Sequence, residues 1–316
     1  MKNYAKLIKL TLLVVSSTLM FSCSDDDSTA GNNSIADIAS GNSNFSVLVD
    51  ALGRANLAST LDQSGSFTVF APTNDAFQSF LSAKGFSSLN DVPVDVLRQI
   101  LLNHVVSGTN LSGSLQTGYV KTLALGSAST TNNLSMFVNV TNSGVRLNGV
   151  ASVTTADIRA SNGVIHVVDA VIDLPTIVTH ATANPNFSTL VGALTSTGQP
   201  DFVGILSGNT NAPFTVFAPS NDAFARFENQ NPGTLASLTP AQLTAVLTYH
   251  VVTGANVLST GIPSGPITTF ETGTFTVNGT TITDEAGRQT NIVAVDVQAA
   301  NGVIHVLDNV ILPNLN

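Results

Sequence analysis

The sequence predicts an α+β protein made of two tandem copies of one domain, and three observations lead there. The eleven residues "NGVIHVVDAVI" (162–172) return almost unchanged as "NGVIHVLDNVI" (301–311). Each copy opens with segments whose apolar residues recur at helical spacing. Each copy closes with Val-, Thr- and Ile-rich runs broken by Gly and Asn, the pattern of short strands and turns.

The repeat extends along most of the chain. "SIADIASGNSNFSVLVDAL" (34–52) aligns with "TIVTHATANPNFSTLVGAL" (176–194) at an offset of 142, and "FTVFAPTNDAF" (67–77) with "FTVFAPSNDAF" (214–224) at 147. "HVVSG" (104–108) aligns with "HVVTG" (250–254) at 146, and the closing strands align at 139. The offset therefore rises by 5 between Leu194 and Phe214 and falls by 7 where the first copy carries "GSASTTNNLS" (126–135). Both stretches are polar and rich in turn formers, so they are expected to be surface loops on a shared scaffold. The domains run over 34–173 and 176–313. Only Leu174-Pro175 separates them, and so short a connection, with Pro175 fixing its own φ, predicts a restricted relative orientation.

Within the first copy, Phe45, Leu48, Val49 and Leu52 fall on one helical face, and Phe187, Leu190, Val191 and Leu194 repeat them. "FTVF" reads as a short apolar strand stopped by Ala-Pro. Thr73, or Ser220 in the second copy, then caps a helix whose first turn carries Asp75 or Asp222 against the positive end of its dipole. The segment "VDVLRQILLNHVV" (94–106) places Leu97, Ile100, Leu101 and His104 on one face, matched by Leu243, Val246, Leu247 and His250. Asn162-Gly163 marks a tight turn between the last two strands.

Residues 1–22 stand apart. Lys2, Lys6 and Lys9 precede an apolar stretch from Leu10 to Phe21 that is too short to span a bilayer stably. It ends at Cys23, the one cysteine in the chain. The pattern resembles a bacterial lipoprotein signal, which implies that Cys23 becomes the lipidated N-terminus. Several acyl chains on one residue give durable attachment where one gives only a marginal hold. The polar stretch 23–33 reads as a flexible stalk. Its Asp25 to Asp27 resemble the acidic signal that sends some lipoproteins to the outer face of a bacterial outer membrane. The expected location is therefore the bacterial cell envelope, at the surface of the outer membrane.

Once the three signal lysines are removed, 8 of the 11 basic residues face 20 acidic ones, a net charge of −12. Lysine and arginine are scattered singly, which argues against nucleic acid as a partner. With no second cysteine to form a disulfide, stability has to come from packed cores.

"TVFAPTNDAF", the His-Val-Val after an amphipathic helix and the closing "NGVIHVVD" resemble the two signature boxes and the central histidine of the fasciclin (FAS1) domain family. Both copies carry all three. The resemblance implies a wedge of β-sheet with helices packed against it, and an extracellular adhesion or interaction role. It also supplies candidate contact residues. Asp157-Ile158, with Asp296-Val297 in the second copy, match an Asp-Ile motif that some members use to bind receptors. Tyr249-His250 matches a Tyr-His motif, for which the first copy has Asn103-His104.

His166 and His305 sit inside the valine-rich closing strands, and two readings compete for them. As structural residues their rings fill core space and bond a backbone carbonyl or an Asp, holding loops together. As ligands, His104 and His166 with an Asp would bind a metal. Zinc needs three or four ligands and no further His or Cys recurs in both copies, so the structural reading leads and no metal is expected. His180 aligns with Ile38 and belongs to no shared site. There is no G-x-S-x-G elbow and no Walker or dinucleotide glycine pattern. The acidic "DDDSTAG" lacks the twelfth-position glutamate of a calcium loop. No cofactor and no enzymatic activity are expected. The leading reading is a surface lipoprotein held to the membrane through Cys23, whose paired domains adhere to a surface protein, matrix or glycan. The alternative is a polysaccharide- or small-ligand-binding accessory of an uptake complex, which the absence of Trp weakens.

Overall fold

The computed structural model describes residues 33–315. The signal at 1–22 and Cys23 lie outside the described residues. In the first domain come α1 (Ile35–Ser40), α2 (Ser46–Arg54), α3 (Ala58–Asp62), β1 (Phe67–Pro72), α4 (Asn74–Lys84) and α5 (Val94–Asn103). Six strands follow: β2 (Val105–Ser107), β3 (Gly118–Gly126), β4 (Ser129–Thr141), β5 (Gly144–Leu147), β6 (Ala151–Ala160) and β7 (Gly163–Val168). The second domain repeats the plan with α6 (Ile177–Ala183), α7 (Ser188–Leu194), α8 (Phe202–Ser207), β8 (Phe214–Pro219), α9 (Asn221–Gln230), α10 (Thr234–Ser237) and α11 (Pro240–Tyr249). Its remaining strands are β9 (Val251–Thr253), β10 (Ile267–Thr268), β11 (Thr274–Asn278), β12 (Thr281–Thr283), β13 (Gln289–Ala299) and β14 (Gly302–Leu307).

In the first domain β1 to β7 roll into a closed seven-stranded barrel in sequence order, sealed by the parallel pairing of β1 with β7. In the second the order is β10-β11-β12-β13-β14-β8-β9, with β14 and β8 parallel. Strand alternation divides each domain into two cores. Val69 and Ala71 of β1 face the helices and pack with Phe45, Leu48, Leu52, Phe77, Leu97 and Ile100. Phe70, between them, points into the barrel with Val106, Met136, Val138 and Leu147. The second domain divides in the same way, with Val216 and Ala218 toward the helices and Phe217 toward Tyr249, Phe275 and Ile282. Thr73 and Ser220 cap α4 and α9, each hydroxyl accepting from the amide three residues on.

The first length change falls, as expected of a surface loop, in the connections on either side of α8, the counterpart of α3, while the second lengthens a hairpin. Between Leu194 and Phe214 the chain forms α8, started by the Asp201 side chain and burying Phe202 and Leu206. These two residues sit at i and i+4, a one-turn periodicity easily hidden among turn formers. The residues extra to the first copy lengthen β3 and β4 into a hairpin whose tip reaches the second domain, as Ala128 N–H donates to Ala300 O at 2.8 Å.

The turn between β6 and β7 centres on Ser161-Asn162, and Gly163 opens β7. A Cβ on Gly163 would lie 2.0 Å from Phe67 O, and one on Gly302 would lie 2.3 Å from Phe214 O. The parallel strand approaches too closely there for any side chain. Asn162 is buried and serves as a staple: its Oδ1 accepts from Ile35 N–H at 2.9 Å, and its Nδ2 donates to Leu61 O at 2.7 Å and Gln63 O at 3.0 Å. Asn301 does the same for Ile177, Leu206 and Gly208. The repeated "NG" therefore joins the helical layer to the sheet and lets β1 meet β7.

Candidate functional site

The histidines come first, because they are the titratable groups the sequence singles out. His104 and His250 end α5 and α11, where the chain turns into β2 and β9. The Nδ1–H of His104 donates to Ile100 O at 2.7 Å, and its Nε2 accepts from Ile172 N–H at 2.9 Å. His250 repeats this with Val246 O at 2.7 Å and Ile311 N–H at 3.3 Å. Each ring ties a helix end to the closing segment of its own domain. Burial pushes both pKa values down from 6.5 to about 4, so each ring is neutral and its Nε2 is free to accept.

His166 is fully buried and stacks on Phe70, ring centroids 5.5 Å apart. Its Nε2–H donates to Asn110 O at 2.9 Å, and its Nδ1 accepts from Asp157 N–H at 3.3 Å. His305 donates from Nε2 to Val257 O at 2.9 Å and lies 5.3 Å from Phe217. Among the described residues no group of three or more His, Cys, Asp and Glu is placed to hold a metal ion.

Asp157 and Asp296 occupy matching bulges in β6 and β13, in left-handed backbone at φ 63° and 60°. The carboxylate of Asp157 accepts from Ser112 N–H at 2.8 Å and from its hydroxyl at 2.6 Å. Asp296 holds Ser259 at the same two distances. The Ser112 bonds keep the Asp157 carboxyl below the usual carboxylate range. Each bulge aims its carboxylate at a short 3₁₀ turn and fixes the loop that follows β2 or β9.

The Asn-His and Tyr-His pairs, expected from the resemblance as contact residues, lie inside their domains. Asn103, His104, Tyr249 and His250 are all buried. Asn103 Nδ2 donates to Ile172 O and Asp173 O, and the Tyr249 hydroxyl donates to Thr274 O at 2.7 Å. Val297 is buried as well and Ile158 is half-buried against the helical core. The reason is shared: the last turn of α5 or α11 must face the sheet for the chain to enter β2 or β9, which carries its side chains inward. Of the expected contact residues, Asp157 and Asp296 retain partial exposure, with their carboxylates already engaged.

A face that sequence reasoning missed lies between the domains. Lys121 on β3 donates to Asp296 O at 2.8 Å, and Gln298 N–H donates to the Ser135 hydroxyl at 3.0 Å. At the hairpin tip, the Ser127 hydroxyl and Ala128 N–H both donate to Ala300 O. His180, which matched nothing in the first copy, is completely buried here. Its Nε2–H donates to Gln298 O at 3.3 Å, and its ring meets Tyr119 edge-on at 5.4 Å. Asn184 Nδ2 donates to the Tyr119 hydroxyl at 3.3 Å. Burial pushes His180 down to about 4, with Lys121 acting in the same direction, and pushes Tyr119 up to about 12. Behind this face, Ala300 N–H donates to Pro175 O at 2.6 Å and fastens the linker. The signal available in the sequence was the mismatch itself: a histidine and a longer hairpin present in one copy only.

Comparison with known proteins adds the following. The fasciclin domain family model matches residues 43–175 and 185–313. The protein sll1483 of Synechocystis sp. is 44% identical over 138 residues, covering 44% of this chain and 72% of the relative. Human periostin is 26% identical over 266 residues, which cover 82% of this chain and 30% of periostin. Among solved structures, a FAS1 domain pair from the insect cell adhesion molecule fasciclin I superposes with a TM-score of 0.53 at 22% identity, covering 86% of this chain and 95% of that one.

Proposed function

The chain belongs to the fasciclin domain family, with two tandem FAS1 domains, and we propose that it is a non-enzymatic surface lipoprotein whose paired domains mediate adhesion or protein interaction at a bacterial envelope. The observation that carries this reading is the docking of the two domains through the β3–β4 hairpin. It holds the two domains in a fixed relative position. Two weak contacts displayed together on a repeating target gain from effective concentration. The polar and charged groups the sequence marks as reactive support the same view, since the histidines bridge backbone groups and the bulge aspartates hold serines. No helix among the described residues is long and apolar enough to cross a membrane, and the anchor in this reading is the lipid on Cys23.

Beads coated with the two-domain ectodomain, or with either domain alone, test the reading against producing cells, extracellular matrix and glycans. The expected result is capture by the pair that exceeds the summed capture of the single domains. Turnover of a substrate by the ectodomain would overturn it. For the anchor, Cys23→Ser should move the protein from the membrane fraction to the soluble fraction, and protease added to intact cells should remove the wild-type ectodomain. Retention of the variant in the membrane would refute lipid anchoring, and protection until lysis would refute surface display.

A further inference from the structure

The two copies differ in concert at one place, where the end of α9 lies beside the start of β13. There Gln230, Gln289, Thr290 and Asn309 stand where the first copy has Ala83, Val150, Ala151 and Ala170, and Arg288 takes the place of Gly149. The five come from three separate segments of the chain, yet all line one cavity of about 220 Å³ in the second domain, together with Asn231. The buried Phe227 and Val310 close its inner side. Burial does not account for the first copy's apolar set, because Ala83 and Val150 are exposed.

The fold uses only part of the cavity's hydrogen-bonding capacity. Asn309 Nδ2 donates to Gln230 Oε1 at 2.9 Å, Asn231 Nδ2 to Phe227 O at 3.1 Å, and Arg288 Nε–H to Asp284 Oδ2 at 2.9 Å. Arg288 Nη2 donates to Leu312 O at 3.3 Å. Gln230 Nε2, Asn231 Oδ1, Arg288 Nη1, the Gln289 amide and the Thr290 hydroxyl have no partner among the described residues. Thr290 is 1% exposed, and a hydroxyl so far removed from bulk water costs free energy when left unpaired.

We propose that this cavity binds one neutral sugar ring, a pyranose unit of a glycan. A side-chain amide offers both a donor and an acceptor, and a sugar hydroxyl does the same, so amides and a hydroxyl converging on one space match a row of adjacent ring hydroxyls. The volume lies below that of drug-sized pockets, which limits the occupant to a single ring. Charge balance selects a neutral ligand over a carboxylate, because Asp284 offsets Arg288 and the neighbouring Arg226 is paired with Asp308 at 2.9 Å. With no aromatic face open for stacking, the affinity for one ring is about millimolar. The site belongs to the second domain alone, so it stands or falls independently of adhesion by the pair.

The test titrates the full chain with the methyl glycosides of glucose, galactose, mannose and N-acetylglucosamine while the side-chain amide resonances of Gln230, Asn231, Gln289 and Asn309 are followed by NMR. Saturable shifts of this group with at least one of the four sugars are expected; no shift with any of them overturns the proposal. Sodium acetate serves as the anionic control, and tighter binding of acetate than of every sugar would refute the neutral assignment. Gln230→Ala combined with Asn309→Ala restores the first copy's residues at the rim and should weaken binding about tenfold, so undiminished affinity also overturns the proposal. Thr290→Val keeps the side chain's shape and removes the hydroxyl. It should weaken binding about fivefold and leave the melting temperature of the free chain unchanged. A marked drop in melting temperature, or failure to fold, would show that the hydroxyl serves the fold and not a ligand.

Discussion

At neutral pH His104, His180 and His250 are uncharged because the fold removes their rings from water, and this ties stability to acidity. In the unfolded chain each ring takes up its proton near pH 6.5, while in the folded chain it does so near 4. Between these values the unfolded state binds more protons, so stability is full above about pH 6.5 and falls as the pH drops toward 4. The loss is on the order of 3 kcal/mol per ring, against a typical domain stability of about 5–15 kcal/mol. Calorimetry from pH 7 to pH 4 should therefore show the coupled transition of the two domains moving steadily to lower temperature. His250→Gln should flatten that slope. The bulge aspartates give a second residue-scale expectation. Asp157→Ala removes two hydrogen bonds to Ser112 and leaves alanine in left-handed backbone, a cost of about 2 kcal/mol in chemical denaturation. Asp157→Asn keeps a side chain that tolerates this conformation and can still accept one bond, so it should cost less.

At the scale of elements, the β3–β4 hairpin distinguishes the two copies. It is longer than its counterpart in the second domain, where β10 spans Ile267–Thr268 and β11 spans Thr274–Asn278. The extra length crosses to Ala300 and Asp296. Gly126 is the tight point: a Cβ there would lie 2.5 Å from Ala300 Cα, against backbone that no rotamer change can move. Gly126→Val should lift the hairpin and separate the domains while leaving each core intact. The expected result is two calorimetric transitions in place of a coupled one. The Tyr119 fluorescence should also change, and it is easily read because the chain has no Trp. A single unchanged transition would show that the hairpin contacts contribute little to coupling. The α8 segment shows how such elements escape a sequence reading, since one helical turn holding Phe202 and Leu206 carries too few residues to establish a period.

For the whole molecule, the pairing matters more than either domain. A two-residue linker, the bonds by which Ala300 holds both that linker and the hairpin tip, and a buried face around His180 and Tyr119 make the tandem one object. Hot-spot contacts on such an object need only modest affinity each, provided their spacing matches the target. A variant uncoupled by Gly126→Val should therefore lose capture in the bead assay although both domains remain folded. Unchanged capture would mean that one domain carries the interaction alone.

The sequence by itself determined the duplication, the α+β class, the capped helices and the tight turn before β7, because these rest on local rules: periodicity, capping chemistry and turn-forming residues. It also identified the histidines, though not their partners. Only the tertiary structure decided that Asn162 staples the helical layer to the sheet, that Tyr249 and His250 face inward, and that His180 belongs to the seam between the domains. Each of these depends on which residues distant in the chain come to lie opposite one another. Pairings such as Asn162 with Leu61, or Tyr119 with Asn184, are set by the closure of the barrel and the docking of its hairpin. No spacing along the chain encodes them.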